Sequence, residues 1–586
     1  MAGWAPQQEG LQQLLGLFRA SQQASNEQHR QIQQQLTSFN AIPDYNCYLA
    51  YIFNALKTEA GHVRQMAGLV MKNNLREHWP ALAPEVQNYV RESLLGCIGD
   101  PETYIRSTAG SCITTLTQSA GGLQAWPQLI PGLYQMLDSA DANVVDGALS
   151  ALAKVCEDSA EVLAADATVK PLDYLIPKFI AFFTHQHEQF RRYAVGCVNH
   201  FILLLPGALV ASMDAYLAAL NALTADPSAE VRKRVCQSLV LLLDVQLERL
   251  APHLPQIVTY MLQMSADADE LVALEACEFW SAMCETAVAA QVLGDFLPRL
   301  VPVLLTRMVY SEEDLMMLNA EDEDDEHQPD RPEDIRPQFH KSRVAGGGGG
   351  DGDEEEGEEE EDGPDDGEVA EWNLRKCAAS GLDALAGTFR DALLPTLLPL
   401  LQARLSAPEW EVRESGILAL GAVADGCQDA IAVYLPQLVP WLIQTLSDPK
   451  PLVRSITCWT LSRYCRWVVE QREQAHLQPL MQELLKRVLD KNKKVQEAAC
   501  SSFAMLEEDA QLALVPYLDP ILRNLMFAFE KYQAKNLLIL YDAIGTLADA
   551  VGRELNKPQH VAILMPPLVA RWNALANDDK GLFPLL

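Results

Sequence analysis

Trp459 and Arg463 stand four residues apart in VRSITCWTLSRYCRW, Val453–Trp467. If this stretch is one helix, that spacing puts an indole and a guanidinium on the same face. Val453, Thr457, Leu461 and Tyr464 form a stripe with the spacing of a packing face, and at about 100° per residue the pair points roughly 150° away from it. An indole with a charged rim offers an apolar pocket to a peptide. Leu418 holds the equivalent place one step upstream, and only these two positions put large apolar groups on the non-stacking face. Further along, Glu508 falls close to Trp459 in helical phase, Asp542 lies nearby, and Asp549 matches Arg463. The surface therefore runs from apolar to acidic and suits an extended peptide with an apolar end and a basic end. A tryptophan in a repeat helix is more often core than contact; its phase favours contact here.

Bond-making chemistry is not expected. No P-loop, HExxH, GxSxG or dinucleotide-binding glycine pattern occurs in context. The five glycines Gly346–Gly350 have no strand before them and no Lys-Ser/Thr after. His185 and His187 read as surface residues between helices, not metal ligands. The expectation is no catalytic residue, no cofactor and no metal.

The elements that must hold these side chains form a ladder. Anchors recur at Val63, Ile105, Val144, Phe190, Val231, Val272, Leu374, Val412, Val453 and Val495, in steps of 38 to 46 residues except for one of 102. Four residues after each anchor comes a usually small residue, from Ala67 to Ala499. Arginine follows the anchor directly in seven of the ten copies, and aspartate precedes it by five in five copies. An eleventh copy is anchored near Ile539. A period near 40 with two helices per unit is the HEAT/armadillo signature. The Asp and Arg resemble the HEAT pattern, in which an aspartate caps a turn and an arginine holds it. Prolines are expected in the opening turn of each first helix, as at Ile176-Pro177 and Leu435-Pro436. The fold class expected is all-α, a right-handed superhelical HEAT solenoid.

The 102-residue step carries about 61 residues beyond one period. Ser311–Ala370 holds 25 acidic and 4 basic residues, a net of −21 in a chain of net charge −34. Low-complexity runs such as Gly346–Gly350 and Asp353–Asp362 will not pack, so 311–370 is expected to be a disordered acidic loop inserted within one repeat. Inside it lies one basic island, Ile335–Arg343. Held over the solenoid, such a polyanion acts at high local concentration on something basic. The expected division is 1–310, N-terminal repeats; 311–370, acidic loop; 371–586, central repeats.

The acidic balance argues against nucleic-acid backbone as the main partner and favours basic partners. Thirteen cysteines with no CxxC pair, most within apolar helical runs, read as reduced and buried. That usage implies a cytosolic or nuclear compartment. The N-terminus lacks a signal peptide's regions, and no run of eighteen uncharged apolar residues points to a membrane span.

Several segments carry a more specific likeness: SITCWTLSRY (Ser455–Tyr464), KNLLILYDAIGTLADAVG (Lys535–Gly552), EWNLRKCAASGLDALA (Glu371–Ala386), LVMKNNL (Leu69–Leu75) and the island IRPQFHKSR. They closely resemble the transportin (karyopherin-β2) branch of the importin-β family. The resemblance implies a monomeric nuclear import receptor that shuttles between cytoplasm and nucleus through nucleoporins. Its cargoes, RNA-binding proteins among them, would carry a disordered signal ending in R/K/H-x-PY. The proline-tyrosine end would sit by Ser380, Leu418, Ile456 and Trp459, with Asp383 and Arg463 nearby. The basic part would be held by Glu508, Asp542, Thr546 and Asp549. Ser380 and Met505 depart from the family pattern, where a small apolar residue and a threonine stand. Ran-GTP would bind the early repeats, and the acidic loop would help release cargo. The chain stops at Leu586 in NDDKGLFPLL with an apolar end, where a solenoid needs a polar one, so a shortened member is expected. The rival readings are a HEAT scaffold or regulatory subunit without a transport role, and a regulator of an enzyme.

Overall fold

The computed structural model describes residues 4–22, 25–119, 121–166, 168–318, 325–327, 329, 372–471 and 475–575. Among them there is no strand. The chain divides into two compact units, Met1–Tyr260 and Met261–Leu586, and each is a stack of helical pairs. The second helices of the pairs, numbered here along the chain, are α1 (Gly61–His78), α2 (Thr103–Gln118), α3 (Ala142–Asp158), α4 (Glu188–Asn199) and α5 (Ala229–Leu250) in the first unit. In the second unit they are α6 (Glu270–Cys284), α7 (Leu374–Phe389), α8 (Trp410–Ala422), α9 (Pro451–Ser462), α10 (Lys493–Ala510) and α11 (Ala534–Val551). Within each unit every second helix packs on the next one in the chain.

The ladder explains that stacking. In nine of the eleven helices the anchor is the third residue, so the sequence period and the helix starts share one register. The residue four places on is buried in every copy: Ala67, Ala109, Ala148, Ala194, Val235, Ala276, Ala378, Gly416, Thr457, Ala499 and Ala543. Small side chains there let successive helices approach closely. Thr457 is the polar exception, and its hydroxyl donates to the Val453 carbonyl at 2.6 Å.

Arginine and carboxylate lock the turns. Arg454 reaches back to the carbonyls of Asp448 and Pro449 in its own turn, at 2.9 and 3.1 Å, and forward to both oxygens of Asp490 in the next repeat, at 2.8 and 3.1 Å. Arg191 does the same with His185, Gln186 and Asp226. Arg64 and Lys57 converge on the buried Asp100. Burial would raise that carboxyl, but hydrogen bonds from Arg64 and Lys57 hold it down at about 2. Where the aspartate five before the anchor is missing, a carboxylate two after it takes over: Asp146 for Arg106 and Glu414 for Arg375. That substitution was not read from the sequence, because the two positions are seven residues apart and meet only through the neighbouring helix.

Three expectations are corrected. Val453–Trp467 is not one helix: α9 ends at Ser462 and a short helix, Cys465–Glu470, follows. The Arg463 and Tyr464 amides bond three residues back instead of four, and the Tyr464 hydroxyl is drawn inward to the Leu420 carbonyl at 2.8 Å. Pro177 lies sixth in its helix rather than in the opening turn, and Pro302, Pro399 and Pro440 hold the same place. Each removes one helical hydrogen bond near the start of a first helix. The beginning of the acidic insert is helical, Glu312–Leu318: Ser311 and Asp314 cap each other reciprocally at 3.0 and 3.1 Å, as a capping box does. The rest of the insert, including Ile335–Arg343 and the acidic run, lies outside the described residues apart from 325–327 and 329, as does the apolar end at 577–586. The helix after the insert packs directly on the second helix of the preceding repeat, α7 on α6, so the repeat register crosses the interruption intact.

Four stretches are long and apolar enough to cross a membrane on composition alone: Gly207–Ala225, Ala289–Arg307, Leu374–Leu405 and Lys493–Lys531. Each is made of more than one helical piece joined end to end, and part of each is buried among the repeats. All thirteen cysteines are free, and twelve are buried.

Candidate functional site

The residues singled out in the sequence fall on five successive helices of the second unit. Ser380 and Asp383 lie on α7, Leu418 on α8, Ile456 and Trp459 on α9 with Arg463 at its C-cap, Glu508 on α10, and Asp542, Thr546 and Asp549 on α11. Packed helices lie about 8–10 Å apart, so four intervals span about 32–40 Å. An extended peptide of about ten residues covers that length.

At the apolar end, Trp459 is 38 % exposed. Its six-membered ring lies against Gly421 of α8, where a Cβ would come within 2.3 Å of the indole Cζ3. Glycine is required there for close approach. The Arg463 guanidinium stands 6.0 Å from the indole centroid and donates to Asp425 at 2.6 Å. Asp383, exposed on α7, belongs to the same group of charges. Burial of its carboxyl raises its pKa, Arg463 pulls it down and Asp425 pushes it up, with a net rise. Beside this trio is a cavity of about 240 Å³ lined by Asp425, Arg463, Arg466 and Trp467 among others. Ser380 and Ile456 are half-buried.

Leu418 departs from the expected picture. It is 8 % exposed, on a helix whose residues from Glu414 to Ala422 are all buried. Helical phase places a residue on a sector of its own helix, but neighbours on both sides of α8 leave it no open sector. Trp459 is thus the one large apolar side chain of the pair that faces solvent.

At the acidic end, Asp549 is exposed and Glu508, Asp542 and Thr546 are half-buried. The Thr546 hydroxyl is turned back to the Asp542 carbonyl at 3.0 Å. Next to them is an acid that the pattern did not reveal. Glu507 is fully buried, and neither carboxylate oxygen has a hydrogen-bond partner among the described residues. Burial, then the charges of Asp542 and Glu508, push its pKa well above the carboxylate range. Sequence reasoning also missed Asp425 and Gly421. The run GILALGAVADG held the hint for Gly421, since glycine within a helix often marks a close neighbour; Asp425 carries no such signal. The array has no nucleophile with an adjacent base, and no group of three or more metal-ligating side chains exists among the described residues. The array presents an aromatic platform, one arginine and a row of carboxylates.

Comparison with known proteins agrees with this architecture. A family model described as a HEAT-like repeat matches residues 410–464, and one described as an importin-beta N-terminal domain matches 32–100. Transportin-1 of Mus musculus is 52 % identical over 584 residues, covering all of this chain and 65 % of that protein. Transportin of Dictyostelium discoideum is 44 % identical over 625 residues, covering all of this chain and 67 % of its own length. The chain thus spans about two thirds of the length of these curated relatives. Among solved structures, importin beta in an ammonium sulfate condition aligns with TM-score 0.72 at 16 % identity, over 98 % of this chain and 66 % of that one. Kap95p with RanGDP aligns with TM-score 0.66 at 17 % identity, over the same shares. At such identities the structures speak for the fold alone.

Proposed function

The chain belongs to the transportin branch of the importin-β family of nuclear import receptors, which are not enzymes, and we propose that it binds proline-tyrosine-type nuclear localisation signals along α7–α11 and releases them when Ran-GTP binds. One observation carries the reading: a single row of helices presents an exposed indole beside an arginine at one end and Glu508, Asp542 and Asp549 at the other. A disordered peptide with an aromatic end and a basic end is the complementary ligand. Burial of its aromatic end supplies affinity, and the charges supply register and association rate. The first unit, which contains the importin-beta N-terminal match, is the proposed Ran side. Kap95p, a solved fold neighbour, is named with RanGDP and with Nup1; Ran and nucleoporins are the partner classes proposed for this chain, and shuttling between cytoplasm and nucleus is part of the same proposal.

The test is a titration of a fluorescent peptide, apolar-basic at its start and ending in R-x-x-PY, with and without Ran-GTP. Saturable binding that Ran-GTP reverses is the expected result. Binding that ignores Ran-GTP would remove the release step while leaving recognition in place. No binding at all would favour a scaffold role for these repeats.

A further inference from the structure

One acidic segment already has a defined place on the second unit, at the turns that precede α10 and α11. Residues 486–494, KRVLDKNKK, hold five basic residues in nine, in a chain of net charge −34. The turn before α10 lies beside the turn before α11, and Asp325 and Glu326 of the acidic insert rest across both. The Lys493 amide donates to Asp325 Oδ1 at 2.8 Å. The Glu326 amide donates to the Lys491 carbonyl at 3.0 Å, and the Glu326 carbonyl accepts from Gln533 Nε2 at 3.2 Å. The Glu326 carboxylate pairs with the Lys531 ammonium.

Each contact meets a need of the site. Lys493 is the first residue of an eighteen-residue helix, where amides lack internal partners. Asn492 caps the next two amides, of Lys494 and Val495, at 3.1 and 3.2 Å, and Asp325 satisfies the one left over. A carboxylate at a helix N-terminus is favoured by the dipole as well. Gln533 is held from its other side by Lys493, whose ammonium donates to the side-chain oxygen at 3.3 Å. Glu326 thus has its amide, its carbonyl and its carboxylate all engaged. A chance surface encounter between a lysine and a glutamate would engage only the last.

We propose that these two turns form a docking site for an acidic peptide segment, filled in this chain by its own Asp325-Glu326. The site reads the dipeptide by main-chain pairing and by a carboxylate at each of the two residues. It fastens the insert at the base of the helices that bear the acidic end of the groove: Asp542 is about 12 Å along the α11 axis from Ala534. The inference does not depend on what the groove binds.

Hydrogen–deuterium exchange on the full chain tests it, with Glu326→Lys, Lys531→Glu and the two together. In the parent chain the Glu326 and Lys493 amides should exchange about tenfold more slowly than in Glu326→Lys, the scale of losing a charge-assisted contact. The double exchange of charges should recover most of that protection. A second arm adds a labelled peptide of residues 319–331 to a full chain carrying Asp325→Ala and Glu326→Ala. It should bind, protect Lys493, and weaken about tenfold when the peptide carries Asp325→Asn and Glu326→Gln. Equal exchange in the parent and in Glu326→Lys, with the interiors of α10 and α11 still protected, would overturn the proposal, as would a peptide that does not bind the vacated chain. If Lys531→Glu disturbs the helices, their interior amides report it, and Glu326→Lys, which lies outside them, decides alone.

Discussion

Replacing Trp459 by alanine is the most direct measure of the groove. A tryptophan presents up to about 250 Å², and with 38 % exposed about 95 Å² remains for a ligand to cover. At about 25 cal/mol per Å² this is about 2.4 kcal/mol, or about fiftyfold in Kd. The covered part of the indole lies on Gly421, so the substitution also removes packing. A loss of about 1–3 kcal/mol in stability is expected, and circular dichroism must first show the helices intact. Isothermal titration with a proline-tyrosine peptide is then the assay. Gly421→Ala provides a check from the other side: its methyl would push the indole off its seat and should weaken the peptide in the same direction with Trp459 still present. A folded Trp459→Ala chain whose Kd stays within about threefold of the parent would refute the calculation and the platform with it.

Four further outcomes follow from the charges. Asp542→Lys with Asp549→Lys should weaken a basic peptide at least about tenfold and flatten its salt dependence, because screening acts on exposed charges; titrations at two ionic strengths check both. Arg64→Ala should destabilise the first unit by about 3–5 kcal/mol, since Asp100 would keep a buried charge with less compensation. Asp100 is depressed to about 2, so its contribution is complete above its unfolded value near 3.8 and fades as pH falls towards 2; Asp100→Asn should remove that dependence from acid unfolding curves. Glu507 is shifted the other way. Above the ordinary 4.5 the native state holds its proton longer than the unfolded chain, so stability falls as pH rises through that window. Thermal midpoints at pH 5 and pH 8 should therefore differ less in Glu507→Gln than in the parent.

Much of this molecule is legible in one dimension. Anchor, small residue and arginine recur because each repeat must solve the same local problem, an inter-helix turn followed by a close helix contact. That problem involves residues only one to six apart. Phase along α9 separated Thr457 and Leu461, which are buried, from Trp459, which is exposed, because a helix converts sequence spacing into angle at a constant rate. Periodicity ends where a second helix decides. Leu418 shares the phase of Trp459 yet is covered, since cover depends on how closely neighbouring helices approach. The carboxylates that serve Arg106 and Arg375 are set by which side chain of the next helix comes level with the guanidinium. Glu507 follows from the same cause: one residue from Glu508, it is turned about 100° inwards and left as a buried acid with no hydrogen-bond partner among the described residues. The bend at Arg463 and Tyr464 goes with a hydrogen bond from the Tyr464 hydroxyl to the Leu420 carbonyl, forty-four residues away, and no local pattern carries that contact. Spacing within a helix is a property of the chain; burial is a property of its neighbours, and for this protein they decide which side chains a peptide can meet.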